Sequence, residues 1–181
     1  MHPQLKIRRH GYHLMSLASV GTLGALLLGA LLALTPWVPD WSLQALRWEI
    51  GDMDQEVLRT LGAPGKCLAS LAALVWTLAY LAPLLALRRL GHRLYRHDAL
   101  SVPVANGFRW LAHSLPLHAV LKIAGTVLAT IAEEVGPGAE RQFTLDVTGS
   151  YAFVVACLCL YSVAHVMRLA AATAEDARSI V

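Results

Sequence analysis

The chain has 181 residues, of which 56% are hydrophobic and only 15% are charged. Soluble domains carry roughly 25% charged residues, so this deficit favours a protein that lies in lipid. The formal net charge of +3 is too small to predict nucleic-acid binding, and the basic residues lie beside the apolar segments.

Four apolar segments are long enough to cross a bilayer, because about 18 consecutive apolar residues can form a transmembrane helix. They cover residues 14–34, 67–87, 110–131 and 151–169. The loops between these spans leave no room for a second folded domain. The sequence therefore predicts a single integral membrane domain over residues 1–181, built as an all-α four-helix transmembrane bundle.

The first span follows a basic N-terminus, and it is longer than the apolar part of a signal peptide, so we expect a retained anchor. Small residues recur every four positions along it. They are Gly21, Ala25, Gly29 and Ala33. Small residues at this spacing let another helix approach closely, which predicts a helix–helix contact on this face. The alternative is that these residues face lipid.

The first outer loop, residues 35–66, is rich in tryptophan and contains two acidic residues that are suitable helix N-caps, Asp40 and Asp54. We therefore expect two short helices there, over residues 40–48 and 54–62. Because tryptophan favours the bilayer interface, these helices are predicted to be interfacial anchors. The alternative is a lid over a cavity in the outer leaflet.

The second span runs directly into a basic segment, in which Leu90 and Leu94 continue the apolar stripe of the helix. We therefore expect the helix to extend beyond the membrane surface. A basic segment at that place attracts anionic lipid headgroups. The residues predicted to bind headgroups are Arg88, Arg89, Arg93 and Arg96. Ser101, just before Pro103, is a suitable start for the next helix.

The distribution of lysine and arginine predicts the orientation. With the N-terminus inside, ten of these residues lie on the cytoplasmic side and four lie outside, and Lys122 within the third span completes the fifteen. Cytoplasmic loops carry the excess of Lys and Arg. We therefore expect a protein of the bacterial inner membrane with both termini in the cytoplasm.

The third span carries ionisable residues at membrane depth. Ser114, His118 and Lys122 follow at four-residue intervals and share one helical face. Ionisable groups in a membrane are costly, so they usually face protein, water or a ligand. With Tyr161 and His165 of the fourth span, they are predicted to line a polar ligand-binding pocket between the two spans. The simpler alternatives are snorkelling of Lys122 and ordinary polar contacts between helices.

His118 and His165 also suggest a second interpretation. If the third and fourth spans are antiparallel, both histidines fall in the same leaflet and could be the axial ligands of one haem b. Arg109 and Arg168 are the basic pair that could hold its propionates. In the leading interpretation there is no cofactor and no metal site.

No catalytic motif is present, so the sequence does not predict an enzyme. The leading interpretation is a non-enzymatic membrane protein that contacts membrane lipids and binds a partner protein, or a second copy of itself, together with a lipid-like ligand. The alternatives are a haem-binding redox subunit and a structural subunit of a larger membrane complex. The three cysteines have no spacing that predicts a disulfide or a redox role.

Two segments resemble a known family. They read LRRLGHRLYRHDALSVPVANGFRWLAHSL, residues 87–115, and HVMRLAAATAEDARSIV, residues 165–181. They resemble the middle and the C-terminus of a bacterial family of four-span inner-membrane proteins, which is catalogued as a domain of unknown function. Its members are often encoded beside a small helix-turn-helix regulator. The resemblance therefore implies a four-span fold and a regulatory partner, and it implies no catalytic residues.

Overall fold

The computed structural model describes residues 3–38, 60–97, 101–135 and 148–179, with side chains at 7–38, 60–97, 101–135 and 153–173. These residues form four long helices and a short 3-10 helix, Thr35–Trp37, and none of them lies in a strand. The long helices are α1 (Pro3–Leu34), α2 (Ala63–Arg96), α3 (Val102–Glu134) and α4 (Thr148–Ser179). Each contains a segment long and apolar enough to cross a membrane. The predicted all-α, four-helix transmembrane fold is confirmed.

Each helix is longer than the apolar span that predicts it. The continuation of α2 past the predicted span is confirmed, because this helix runs without interruption from Ala63 to Arg96. Its extension beyond the membrane surface stays a prediction. Its 34 residues correspond to about 51 Å, whereas the hydrocarbon core of a bilayer is about 30 Å thick. The helix is therefore longer than the hydrocarbon core, and its last turn is basic, with Arg93 and Arg96.

The predicted interfacial helices fall almost entirely outside the described residues. The first, over residues 40–48, lies wholly outside them. Of the second, only the last three residues are described: Thr60 is helical, whereas Leu61 and Gly62 are not. These two helices stay predictions.

The start of α3 lies where the sequence predicts it. The carbonyl oxygen of Ser101 accepts hydrogen bonds from the amides of Val104, at 3.0 Å, and Ala105, at 3.1 Å. Pro103 follows within the first turn, where its missing amide hydrogen removes no helical hydrogen bond. Ser101 and Pro103 together fix the beginning of the helix.

The contacts divide the chain into two compact units. Unit 1 comprises Met1–Leu23, Leu81–His118 and Asp146–Val181, and unit 2 comprises Gly24–Tyr80 and Ala119–Leu145. Twelve of the fifteen buried hydrophobic residues are alanines, so small side chains fill most of the described interior. Small residues allow the close backbone approach on which helix packing in lipid depends. The assignment of residues 1–181 to a single membrane domain stays a prediction.

In unit 1, α1 and α2 approach each other at their glycines. Gly11 lies against Gly91, and Gly21 lies against the side chain of Leu84. Because the residue numbers rise on α1 as they fall on α2, the two helices are antiparallel here. Gly107 of α3 lies against the side chain of Leu90 of α2.

In unit 2, the small face of α1 again lies against α2. Gly29 contacts the side chain of Thr77, and the hydroxyl of Ser70 donates a hydrogen bond to the carbonyl of Ala33 at 2.7 Å. The helix–helix contact predicted from the small residues is therefore confirmed at Gly21 and Gly29, and α2 of the same chain is the partner helix.

Unit 2 also joins α2 to α3. Gly125 of α3 accommodates the ring of Trp76, and the indole nitrogen of Trp76 lies 3.3 Å from the carbonyl oxygen of Lys122. Farther along, Leu61, Ala69 and Ala132 form a small buried cluster. The indole ring thus fills the space that the missing side chain of Gly125 leaves on α3.

Candidate functional site

Two of the predicted ligand residues are buried in α3. Ser114 is 7% exposed and donates its hydroxyl hydrogen to the carbonyl of Leu111 at 2.7 Å. His118 is 5% exposed, and its ring stacks on Phe153 of α4 with 5.1 Å between the ring centres. The imidazole therefore contributes to the packing of the two helices.

Lys122 differs from the two buried ligand residues in its exposure. It lies in the part of α3 that belongs to unit 2, and its side chain is exposed. Its carbonyl oxygen accepts hydrogen bonds from Trp76 and from the hydroxyl of Thr126 at 3.1 Å. The ligand role of its ammonium group stays a prediction.

Tyr161 meets a histidine that was not among the predicted site residues. Its hydroxyl oxygen lies 3.1 Å from Nδ1 of His113, and the two ring centres are 5.2 Å apart. The same Nδ1 lies 2.7 Å from the carbonyl oxygen of Arg109, and the ring of Trp110 is 6.4 Å from that of His113. The sequence gives one indication of a role for His113. It lies one turn after Arg109 and close to Trp110, and tryptophan favours the bilayer interface.

His165 is exposed and lies one turn beyond Tyr161 on α4. It follows Phe153, the stacking partner of His118, by twelve residues, which is about 18 Å along a helix. The structure therefore places His118 and His165 at different levels of unit 1 and does not bring them to one iron. No group of three or more metal-binding side chains occurs among the described residues.

The carbonyl of Ala112 shows how the sequence around Pro116 determines a contact. Pro116 has no amide hydrogen, so the oxygen four residues earlier receives no helical hydrogen bond. The thiol of Cys157 on α4 donates to this oxygen at 3.4 Å. One cysteine of the fourth span thus has a structural role, and all three cysteines are free thiols.

Unit 1 is strongly cationic. All eight arginines with described side chains belong to it, and no carboxylate occurs among its described side chains. They are Arg8, Arg9, Arg88, Arg89, Arg93, Arg96, Arg109 and Arg168. Among the four predicted headgroup ligands, Arg93 is half-buried and donates from Nη1 to the carbonyl of Pro103 at 2.9 Å, whereas the other three are exposed. Arg93 therefore has a structural contact that joins α2 to α3.

Comparisons with known proteins give no relative: no family model, no curated protein and no solved structure matches the chain.

Proposed function

We propose that this chain is a non-enzymatic integral protein of the bacterial inner membrane that binds a partner protein through the arginine-rich end of α2 and holds a lipid-like ligand beside α4. The observation that carries the proposal is the charge imbalance of unit 1, whose residues include ten lysines and arginines and four aspartates and glutamates. A surface of this kind favours acidic partners. The excess of Lys and Arg on this side also supports a cytoplasmic orientation for both termini.

The arginines of α2 are well placed for a partner at the membrane surface. Arg88, Arg89 and Arg96 are exposed, and they lie on a helix that extends past the hydrocarbon core. Each basic residue near an anionic surface contributes about 1 kcal/mol, so three of them hold this end at the headgroups. A protein partner with an acidic face would compete with the lipid for the same guanidinium groups. The family resemblance suggests a small regulator for this role.

Site-specific photo-crosslinking in intact membranes tests the partner. A photoreactive amino acid replaces His92, which is exposed between Arg89 and Arg93. We expect crosslinks to one protein species, and a yield that falls about tenfold in the R88Q/R89Q variant, the change expected from about 1.4 kcal/mol. The matched control places the same photoreactive group at Val20, an exposed apolar position within the first span, where only lipid should react.

Two results would contradict the proposal. One is that the probe at position 92 gives only lipid adducts. The other is that protein adducts form with equal yield in the R88Q/R89Q variant, which would remove the arginines from the recognition.

A further inference from the structure

The contact between α3 and α4 in unit 1 has a defined direction. His118 meets Phe153, and His113 meets Tyr161, so the residue numbers rise on α4 as they fall on α3. The two helices are therefore antiparallel along this contact. Toward the N-terminus of α3 and the C-terminus of α4, polar residues continue on the same two faces.

Helical spacing identifies the residues that follow. Arg109 lies one turn from His113 on α3, and His165 lies one turn from Tyr161 on α4, which places Arg109 and His165 level with each other. One turn farther, Asn106 and Arg168 are level in the same way. We call these residues the donor strip. It consists of Asn106, Arg109, His113, Tyr161, His165 and Arg168, and all six are exposed.

The hydrogen-bond geometry of His113 determines what Tyr161 can do. A carbonyl oxygen can only accept, so the 2.7 Å contact with Arg109 requires the hydrogen of His113 to be on Nδ1. Nδ1 then cannot accept from Tyr161, although the two atoms are 3.1 Å apart. The hydroxyl hydrogen of Tyr161 is therefore available to another acceptor.

The donor strip suits a ligand with anionic oxygens. Arginine has donors and no acceptor, and the amide, hydroxyl and imidazole groups beside it can each donate as well. No carboxylate occurs among the described side chains of unit 1 that could neutralise Arg109 and Arg168. Guanidinium groups bind phosphate oxygens through charge-assisted hydrogen bonds, often two at a time.

The same faces become apolar in the direction of the bilayer centre. On α4, Leu158 and Val154 precede Tyr161 by three and seven residues and are 61% and 56% exposed. On α3, Leu117 follows His113 by four residues and is 50% exposed. A ligand that covers both parts must have an anionic head and an apolar body. This combination favours a phospholipid over a soluble phosphate compound.

We propose that the donor strip binds the phosphate of one anionic phospholipid, with an acyl chain along Leu117 and Leu158. Arg109 and Arg168 hold the phosphate oxygens, and Tyr161 donates its hydroxyl hydrogen to one of them. Trp110, which is 58% exposed beside the strip, is suited to the depth of the headgroups. The inference rests on the proposed membrane function only in placing this end of unit 1 at the headgroup region.

The test measures phosphatidylglycerol binding to the full-length protein in phosphatidylcholine nanodiscs, by native mass spectrometry and by thermal stabilisation. We expect R109Q/R168Q to weaken this binding about tenfold or more, as the loss of two charge-assisted contacts predicts. The matched control is R8Q/R9Q, which removes the same charge from exposed positions of α1 and should change lipid binding by no more than about twofold.

A second variant keeps the test decisive if the double substitution disturbs folding. Tyr161→Phe removes one oxygen atom and should weaken phosphatidylglycerol binding several-fold, with an unchanged melting temperature in phosphatidylcholine alone. A parallel experiment adds inorganic phosphate at millimolar concentration. We expect inorganic phosphate neither to stabilise the protein nor to displace the lipid.

Three outcomes would overturn the inference. Equal losses in R109Q/R168Q and R8Q/R9Q would show a diffuse electrostatic attraction without a site. Stabilisation by inorganic phosphate equal to that by the lipid would make the ligand a soluble anion. Equal binding of phosphatidylglycerol and phosphatidylcholine would show that the site does not select an anionic ligand. Loss of the crosslinked partner in R88Q/R89Q is a separate measurement, so the proposed function and this site can fail independently.

Discussion

Gly11 and Gly91 lie so close together that neither position has room for a side chain. A Cβ atom on Gly11 would lie 2.9 Å from the carbonyl oxygen of Gly91, and a Cβ atom on Gly91 would lie 2.9 Å from the carbonyl oxygen of Gly11. The other nearest atoms are also backbone atoms, the amide nitrogens of Tyr95 and Met15. Backbone atoms cannot rotate away as a side chain can, so any substitution must separate α1 from α2.

The first prediction is that Gly91→Ala destabilises the protein by about 1–3 kcal/mol, the usual cost of overpacking a close contact. This loss of stability is measured as a lower melting temperature of the purified protein in a mild detergent. The control is Gly24→Ala, because a Cβ atom there would meet nothing within 4 Å. The control should be neutral or stabilising by up to about 1 kcal/mol, since alanine favours helix. Equal melting temperatures for the two variants would contradict the contact.

The second prediction concerns Ser70, which connects α2 to the end of α1. Its hydroxyl donates to the carbonyl of Ala33 at 2.7 Å and accepts from the indole nitrogen of Trp37 at 3.0 Å. Ser70→Ala should cost about 1–3 kcal/mol, because the substitution breaks both hydrogen bonds. Trp37→Phe should cost less, because it removes only one.

The matched control for Ser70 is Ser162→Ala. The hydroxyl of Ser162 bonds only to the carbonyl of Leu158 in its own helix, at 2.9 Å, as far as the described residues show. This hydrogen bond joins no two helices, so the control should leave the melting temperature nearly unchanged. An equal fall of the melting temperature in Ser70→Ala and Ser162→Ala would show that the hydrogen bond from Ser70 to α1 contributes nothing to stability.

The third prediction is the topology, tested by cysteine labelling in a variant whose three native cysteines are replaced by alanine. A cysteine at Ser179 should react only when the reagent reaches the cytoplasmic side. A cysteine at Lys66, near the beginning of α2, should react from outside. Reaction of position 179 from outside in intact cells would reverse the orientation inferred from the distribution of arginine.

The fourth prediction is that the purified protein has no Soret band. His118 stacks on Phe153, and His165 lies about 18 Å farther along α4, so the two imidazoles cannot share an iron. Growth with added haem precursor provides the control for cofactor supply. A Soret band that disappears in His118→Ala would restore the haem interpretation.

The fifth prediction concerns Lys122, which is exposed in the middle part of α3. A charged lysine at the bilayer centre costs about 2.5–3.5 kcal/mol on insertion scales. Lys122→Met should therefore raise the melting temperature, provided that no ligand uses the ammonium group. Lys66→Met, at the membrane boundary, should give no such gain. A lower melting temperature in Lys122→Met, together with loss of a co-purified lipid, would assign Lys122 to the ligand after all.

The sequence predicts the helices well because each helix is determined by the residues of its own segment. Apolar length alone identifies the four spans, and the leucines after Leu87 correctly predict the extension of α2 to Arg96. The backbone contact of Gly11 with Gly91 was not predicted, since both glycines lie outside the apolar spans. A single glycine in a polar segment carries no signal of the partner that it will meet.

The candidate site shows a different limit. Tyr161 lies on the face that its spacing predicts, but its partner is His113 rather than His118. Helical periodicity identifies the face of a residue, whereas the level at which two antiparallel helices meet depends on their connection and on side-chain packing. His118 stacks on Phe153 at that level, and an apolar residue such as Phe153 gives no signal in the sequence that it will meet a histidine.

The contact of Gly11 with Gly91 also has a consequence for biosynthesis. It joins two helices that are neighbours in the chain, so the first hairpin can close once Arg96 has left the ribosome, before α4 has been made. Chains generally fold from the N-terminus during synthesis. A substitution at Gly91 should therefore lower the yield of inserted protein as well as its stability. Without this contact, α1 and α2 would stay unpaired in the insertion machinery until the later helices are made.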